Sequence, residues 1–244
     1  MSFRFDRIRV LETGHNSAPW NMALDEVLLN DLSDTPILRI YGWRPPAVSI
    51  GYFQSMDEEV DVAECNRNGI DVIRRITGGG AVLHDSELTY SFLTKKYPQD
   101  IMKSYELICD AIIIAINALG FVSKFSPLND ITINGKKVSG NAQTRKKNAL
   151  LQHGTILLDA DIDRMFSVLK VPTEKIRDKM ISDVKQRVTV LNKTFDEVAS
   201  SLKKGFSEKF CASLDIDVLT AEERIATKKL AEEKYSTRQW NWKK

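Results

Sequence analysis

Cysteine is scarce in this 244-residue chain. Cys65, Cys109 and Cys211 stand far apart and form no Cys-x-x-Cys pair, which excludes a disulfide framework and offers no zinc-site spacing. An excess of one charge is also missing: Lys+Arg 35 against Asp+Glu 33 leaves a net charge of +2. A general nucleic-acid binder carries a basic surplus, so any anion site here must be local. Long hydrophobic runs are absent too. The longest, AIIIAINALGF, is interrupted at Asn117 and falls short of a bilayer span. The opening MSFRFDRIRVLETG alternates charge with apolar residues where a signal peptide would carry an apolar stretch. The expectation is a soluble, cytoplasmic protein with no nucleic-acid and no membrane partner. With 43% hydrophobic residues the chain can bury a sizeable core, read as one main domain.

Strand-like and helical runs interleave up to about residue 170, and the pattern then reads as helical to the end. That is an α/β or α+β organisation. PILRIYGW, AVSIGYF, DVIRRIT and ELTYSFL are short, rich in β-branched and aromatic residues, and bounded by Pro or Gly, so they read as strands. WNMALDEVLLNDL carries Met22, Val27 and Leu28 or Leu29 at helical spacing. VDVAECNRNG reads as a short helix stopped by Gly69, and DIMKSYELICDAIIIAINALG as a long one capped by Asp100 and stopped by Gly120. The terminal Trp240 and Trp242 are expected to dock on their own domain, with a partner surface as the alternative.

Asn134-Gly135 sits between two alternating runs, the strongest local signal for a two-residue hairpin turn. A turn there sets Ile133 opposite Lys136, Thr132 opposite Lys137, Ile131 opposite Val138 and Asp130 opposite Ser139. Ile131, Ile133 and Val138 then form the core face. Of the two lysines, Lys137 alone lies on the polar face with a carboxylate, Asp130, nearby. ALLQHGTILLD reads as a further strand, with His153 and Thr155 on one face by period two.

The stretch RRITGGGAVLHD packs two arginines, three consecutive glycines, His84 and Asp85 into twelve positions. It fails the dinucleotide fingerprint, because Leu83 stands where that pattern needs glycine. GKKVSGNA has Gly135 and Gly140 at Walker spacing but Asn141 and Ala142 in place of Lys and Ser/Thr. What remains is a loop whose bare backbone N–H groups can face an anion while Arg74 or Arg75 supplies charge. A glycine-rich anion loop with arginine, followed by a lysine hairpin carrying Asp130, suits a site where two anions meet.

RRITGGGAVLHD, LNDITINGKKVSGNAQ, QHGTILL and VKQRV together resemble the successive blocks of the lipoate–protein ligase, biotin–protein ligase and octanoyltransferase superfamily, in its lipoate ligase branch. PILRIYGWRPPAVSIGYFQ resembles the opening strands of that family, and EEKYSTRQWN the large subunit of two-part, archaeal-type lipoate ligases. The resemblance implies an α+β (α/β) fold, a mixed β-sheet flanked by helices in a class II synthetase-like catalytic domain. It spans 1–244 with a helical C-terminal part from about 160, and without the accessory domain of single-chain ligases. It also implies a two-step reaction. Lipoate and ATP give lipoyl-AMP and pyrophosphate, and the lipoyl group then passes to a lysine of a lipoyl domain or of glycine cleavage H protein, with a separate small subunit completing activation.

Carried onto this sequence, the resemblance makes Lys137 the catalytic cation bridging the lipoate carboxylate and the α-phosphate. Arg75 and the backbone of Gly80, Ala81, Val82 and Leu83 would hold nucleotide and lipoyl groups. Gly79 and His84 would line the lipoyl pocket, and Asp130 would hold Mg²⁺ on the phosphates. His153 and Thr155 are secondary candidates. The competing readings are an octanoyl or lipoyl transferase working without ATP, and a lipoate-binding module. The first uses a nucleophilic cysteine, which in the family stands either three residues before the histidine of the HG block or just before the ND segment. This chain has Leu150 at the first place and reads SKFSPLND at the second.

Overall fold

Short runs rich in β-branched and aromatic residues give this chain most of its strands, and a sheet that must be covered on both faces gives it its layers. The computed structural model describes residues 3–170 and 174–243. In chain order the strands are β1 (Arg7–Asn16), β2 (Ile37–Trp43), β3 (Ala47–Ile50), β4 (Asp71–Arg74), β5 (Val82–His84), β6 (Glu87–Thr94), β7 (Ser123–Ser126), β8 (Asp130–Ile133), β9 (Lys136–Lys146), β10 (Ala149–Leu157) and β11 (Ser213–Asp217). The helices are α1 (Ala18–Asn30), α2 (Met56–Glu59), α3 (Val62–Arg67), α4 (Ile101–Ala118), α5 (Ile162–Val168), α6 (Glu174–Arg187), α7 (Phe195–Phe210), α8 (Ala221–Leu230), which runs on through a π-turn, and α9 (Arg238–Asn241).

Eight strands form one sheet in the order β11-β1-β2-β6-β10-β9-β8-β7, and β4-β3-β5 form a second, three-stranded one. The large sheet is mixed: β1 runs parallel to both β11 and β2, and the pairs from β2 to β7 are antiparallel. Along β6, Leu88, Tyr90 and Phe92 point to a core shared with α4 and α7, as do Leu150 and Ile156 of β10. The intervening residues face the other way. Leu93 and Leu151 meet Leu24, Leu28 and Leu29 of α1, and Thr89, His153 and Thr155 face a cleft. Gly205 sets the α4–α7 spacing, since a Cβ there would stand 2.3 Å from the Ala111 carbonyl oxygen.

The long helix is capped as the sequence indicates: the Asp100 side chain accepts from the Lys103 N–H, and Gly120 follows the helix at φ +94°. Gly69, at φ +63°, ends α3. The tryptophans dock on the domain itself, Trp240 donating to the Arg74 carbonyl and Trp242 to Asp57. Among the described residues no helix is long and apolar enough to cross a membrane.

Two expectations need correction. The chain is not helical from residue 170 to its end, because Ser213–Asp217 adds β11 to the edge of the large sheet. Its residues are mostly exposed, so it lacks the apolar alternation that marks a half-buried strand, and Arg9 holds it through Asp217. The hairpin register also departs from the simple reading. Asn134 and Gly135 form the turn with φ +51° and +78°, and Ile133↔Lys136 and Thr132↔Lys137 pair as expected. Beyond them a bulge shifts the ladder, so that Ile131 faces Ser139 and Asp130 faces Gly140. The extra residue keeps Ile131 and Val138 both fully buried and brings Asp130 next to Gly140.

Candidate functional site

One cleft of about 650 Å³ lies between the small sheet and the cleft-facing side of β6, β10, β9 and β8. Its size suits a small organic ligand. Arg75, Gly79, Gly80, Ala81, Val82, Leu83, His84, Asp130, Lys137, His153 and Thr155 all line it, so the residues that the resemblance assigned to the site reach the same cavity, while Arg74, the other candidate for charge, does not.

The floor is the loop between β4 and β5. Arg75 is buried and donates to the Gly78 and Gly80 carbonyls at 2.9 and 2.7 Å. Because the C=O and N–H of a trans peptide point in opposite directions, this turns the Gly79 and Ala81 N–H groups away from the guanidinium. Gly79 sits at φ +99°, where a Cβ would meet the Arg75 guanidinium at 2.8 Å. Arg75 makes its other bonds to the Ser49 carbonyl and hydroxyl, and among the described residues it pairs with no carboxylate. Burial lowers its pKa to about 10, so it remains a cation at neutral pH and favours an anion in the cleft.

Arg74, the alternative source of charge, turns the other way, as alternation along β4 requires. Its guanidinium takes the carbonyls of Tyr52, Gln54, Trp240, Asn241 and Lys243, and so ties the C-terminal segment to the loop after β3. The sequence cannot separate the two neighbours until strand facing is known.

On the opposite wall the Lys137 ammonium lies 2.8 Å from Asp130 Oδ1. It rests over Gly140, where a Cβ would stand 2.7 Å from Nζ. Lys136, at the hairpin tip, is exposed. Asn141 pins the segment that carries Asp130, donating to the Asn129 carbonyl at 2.8 Å while its own Oδ1 accepts from the Tyr90 hydroxyl. Gly154 makes room for it, since a Cβ there would stand 2.1 Å from Asn141 Oδ1. Among the described residues no three His, Cys, Asp or Glu side chains converge as a metal-binding group.

Both cleft histidines are engaged. His84 stacks on Trp43 with ring centroids 4.1 Å apart, bonds Ser49 Oγ through Nε2 at 2.8 Å and Glu87 through Nδ1 at 2.7 Å. His153 bonds the Thr77 hydroxyl at 2.7 Å and Asp25 at 3.2 Å. Burial lowers the His153 pKa, against the opposing pull of Asp25. Asp25 is itself buried. Desolvation alone would raise its pKa, but Arg39 at 2.6 Å and His153 outweigh that and hold it below the ordinary value. Thr155, beside them, lines the cleft. Ser49, Glu87, Trp43, Asp25 and Asn141 escaped sequence reasoning, because isolated polar residues in strands and helices carry no motif.

No cysteine lines the cleft among the described residues. Cys109 is buried in α4 on the other face of the sheet, and burial pushes its pKa up to about 12. Cys65, in α3, is pushed up to about 11, again chiefly by burial. Cys211 is exposed at the end of α7.

The chain is similar over nearly its whole length to proteins already known. An octanoyltransferase LipM from Geobacillus kaustophilus (strain HTA426) is 35% identical, over 97% of this chain and 98% of its own length. A solved chain from the archaeal bi-partite lipoate protein ligase and E2 lipoyl domain system of Thermoplasma acidophilum superposes with a TM-score of 0.90 at 36% identity. It covers 98% of this chain and 96% of that one. A lipoate-protein ligase A bound with ATP superposes at 0.84 with 33% identity, covering 97% and 98%. Residues 17–207 match the lipoyl protein ligase A/B catalytic domain, and with relatives this similar over nearly its whole length the chain belongs to that family.

Proposed function

We propose that the chain is the catalytic part of an ATP-dependent lipoate–protein ligase. It joins lipoate and ATP into lipoyl-AMP with release of pyrophosphate, then passes the lipoyl group to a lysine amine of a lipoyl domain in an acyltransferase subunit or of glycine cleavage H protein. The observation that carries this reading is a cleft with cations on two walls and, among the described residues, no thiol. Arg75 on one side has no carboxylate partner among the described residues, and Lys137 on the other sits beside Asp130.

The chemistry gives each group its work. A carboxylate brought against a phosphate is repelled, by about 4 kcal/mol for unit charges 4 Å apart at an effective dielectric near 20. In this reading the Lys137 ammonium bridges the carboxylate oxygen and the α-phosphate and stabilises the charge that grows as they join. The N–H groups turned outward along the glycine loop, together with Arg75, hold the anhydride. Trp43 and the stacked His84 ring give an apolar wall for the acyl chain. Mg²⁺ would be held by the Asp130 carboxylate together with phosphate oxygens and water, the usual manner for this ion, and would neutralise pyrophosphate as it leaves.

A similar ligase has been solved with ATP bound, and another similar chain comes from a two-part system solved with its lipoyl domain. Both support the ligase reading, and the two-part neighbour supports a separate small subunit for the activation step. The LipM relatives favour a second reading, octanoyl transfer without ATP. A thioester route needs a nucleophilic thiol at the reacting carbon, and none of this chain's cysteines lines the cleft. The test offers a variant with all three cysteines replaced by alanine two donors, preformed lipoyl-AMP and octanoyl carrier protein, with a lipoyl domain as acceptor. Transfer from lipoyl-AMP at the native rate is expected. Transfer from the carrier protein by the native chain, lost in the variant, would replace the ligase reading with the transferase one.

A further inference from the structure

The two histidines of the cleft end two hydrogen-bonded chains of the same kind, and both chains arrive at the glycine loop. In one, Glu87 meets His84 Nδ1 at 2.7 Å, His84 Nε2 meets Ser49 Oγ at 2.8 Å, and Ser49 Oγ accepts from Arg75 at 3.0 Å. Arg75 in turn grips the Gly78 and Gly80 carbonyls. In the other, Asp25 meets His153 Nδ1 at 3.2 Å and His153 Nε2 meets the Thr77 hydroxyl at 2.7 Å. Thr77 directly precedes Gly78. Ser49 and Thr77 are buried, as are both histidines and both carboxylates.

Proton bookkeeping leaves one arrangement for the first chain. A guanidinium only donates, so Ser49 Oγ must accept from Arg75 and has a single hydrogen of its own to give. Among the described residues the remaining neighbour of that hydroxyl is His84 Nε2, which must therefore be unprotonated. The ring hydrogen then lies on Nδ1, where the Glu87 carboxylate accepts it. An Nε2–H ring would turn a lone pair toward Glu87 and strand the serine hydrogen in a buried site, a costly outcome. Glu87 is itself fixed by the Asp85 N–H at 2.8 Å and the Thr89 hydroxyl at 3.3 Å. In the second chain Asp25, already bonded to Arg39 and the Ser91 hydroxyl, imposes the same tautomer on His153, and the Thr77 hydroxyl donates to its Nε2.

We infer that Glu87–His84–Ser49–Arg75 and Asp25–His153–Thr77 are two positioning relays that clamp both flanks of the glycine loop, fixing each histidine as the neutral Nδ1–H tautomer and removing it from proton transfer. The anion that the clamped loop receives rests on the adenylate reading above. The relays explain why a loop of three glycines, free to take many conformations, can present N–H groups in a fixed direction. They make Ser49, Thr77 and Glu87 positioning residues, and they assign His84 and His153 no catalytic hydrogen.

Side-chain ¹⁵N NMR of the intact protein tests the relays without reference to activity. The chain has three histidines, and His84→Asn and His153→Asn assign the signals. At pH 7.5, His84 and His153 are expected as neutral Nδ1–H rings, and either one found as Nε2–H or as imidazolium overturns the inference. Calorimetric titration with AMP tests the consequence. Ser49→Ala and Thr77→Val are each expected to weaken binding about three- to ten-fold, the worth of one neutral hydrogen bond, while Thr77→Ser stays within about two-fold because it keeps the hydroxyl. AMP binding unchanged in Ser49→Ala and Thr77→Val, or equally weakened in Thr77→Ser, also overturns it. A native chain that binds no AMP defeats the adenylate reading, with the tautomers still deciding the relays.

Discussion

The Lys137 ammonium and the Asp130 carboxylate stand 2.8 Å apart across a bulged hairpin, with Lys137 lying over the bare Cα of Gly140. Pairing with Asp130 places the cation at the cleft wall, where the proposed reaction brings two anions together.

Lys137→Ala is therefore expected to lower the adenylation rate at least 100-fold, the scale on which loss of one preorganised charge-stabilising group is felt. Lys136→Ala, one residue earlier and exposed, should change it less than three-fold. Lipoate-dependent exchange of pyrophosphate into ATP, with the proposed small subunit supplied, measures both.

Gly140→Ala probes the same cation from beneath. The added methyl would meet Lys137 Nζ at 2.7 Å and Cε at 2.8 Å, and a flexible side chain yields more readily than backbone. Adenylation should fall about ten-fold while the melting temperature moves by less than about 2 °C. A large loss of stability with unchanged turnover per folded molecule would contradict this placement of Lys137.

Gly205→Ala acts far from the cleft. Its Cβ would stand 2.3 Å from the Ala111 carbonyl oxygen and 3.0 Å from the Ala115 Cβ, so α4 and α7 must separate. Overpacking of this kind costs about 1–3 kcal/mol, or several degrees of melting temperature for a chain of this length. Thermal unfolding checks it, and lipoyl transfer at low temperature should survive.

Acid should loosen the fold through His153. Its folded-state pKa lies below the ordinary value because burial disfavours the charged ring. The neutral form thus contributes stability that is whole above the unfolded pKa of about 6.5 and is lost as pH falls below it toward the folded value. Melting temperature should drop on acidification through this window, and His153→Gln, less stable at neutral pH, should show a flatter slope there. Equal slopes would mean that His153 does not titrate with unfolding.

Much of this architecture was legible in the sequence where local chemistry decides it. Asn134-Gly135 demanded a tight turn and formed one, Asp100 and Gly120 bounded α4, and period two put His153 and Thr155 on one face of β10. What was not legible depends on partners distant in sequence. β11 gains its place from pairing with β1 and from Arg9 rather than from an apolar face of its own. The bulge in β9 resolves a conflict between turn register and burial that no local pattern announces. Arg74 and Arg75 are indistinguishable as letters, yet one ties down the C-terminal segment and the other holds the glycine loop. Ser49 and Glu87 acquire meaning only from the ring of His84 between them.

The most direct measurement of the central claim is lipoyl transfer to a lipoyl domain by the purified chain, with and without a candidate small subunit, followed by mass spectrometry with ATP, Mg²⁺ and lipoate supplied or withheld singly. The expected result is a modified lysine only when all three are present, with pyrophosphate and AMP released in equal amounts and no product from Lys137→Ala. Modification from octanoyl carrier protein in the absence of ATP, at a rate indifferent to Lys137, would contradict it.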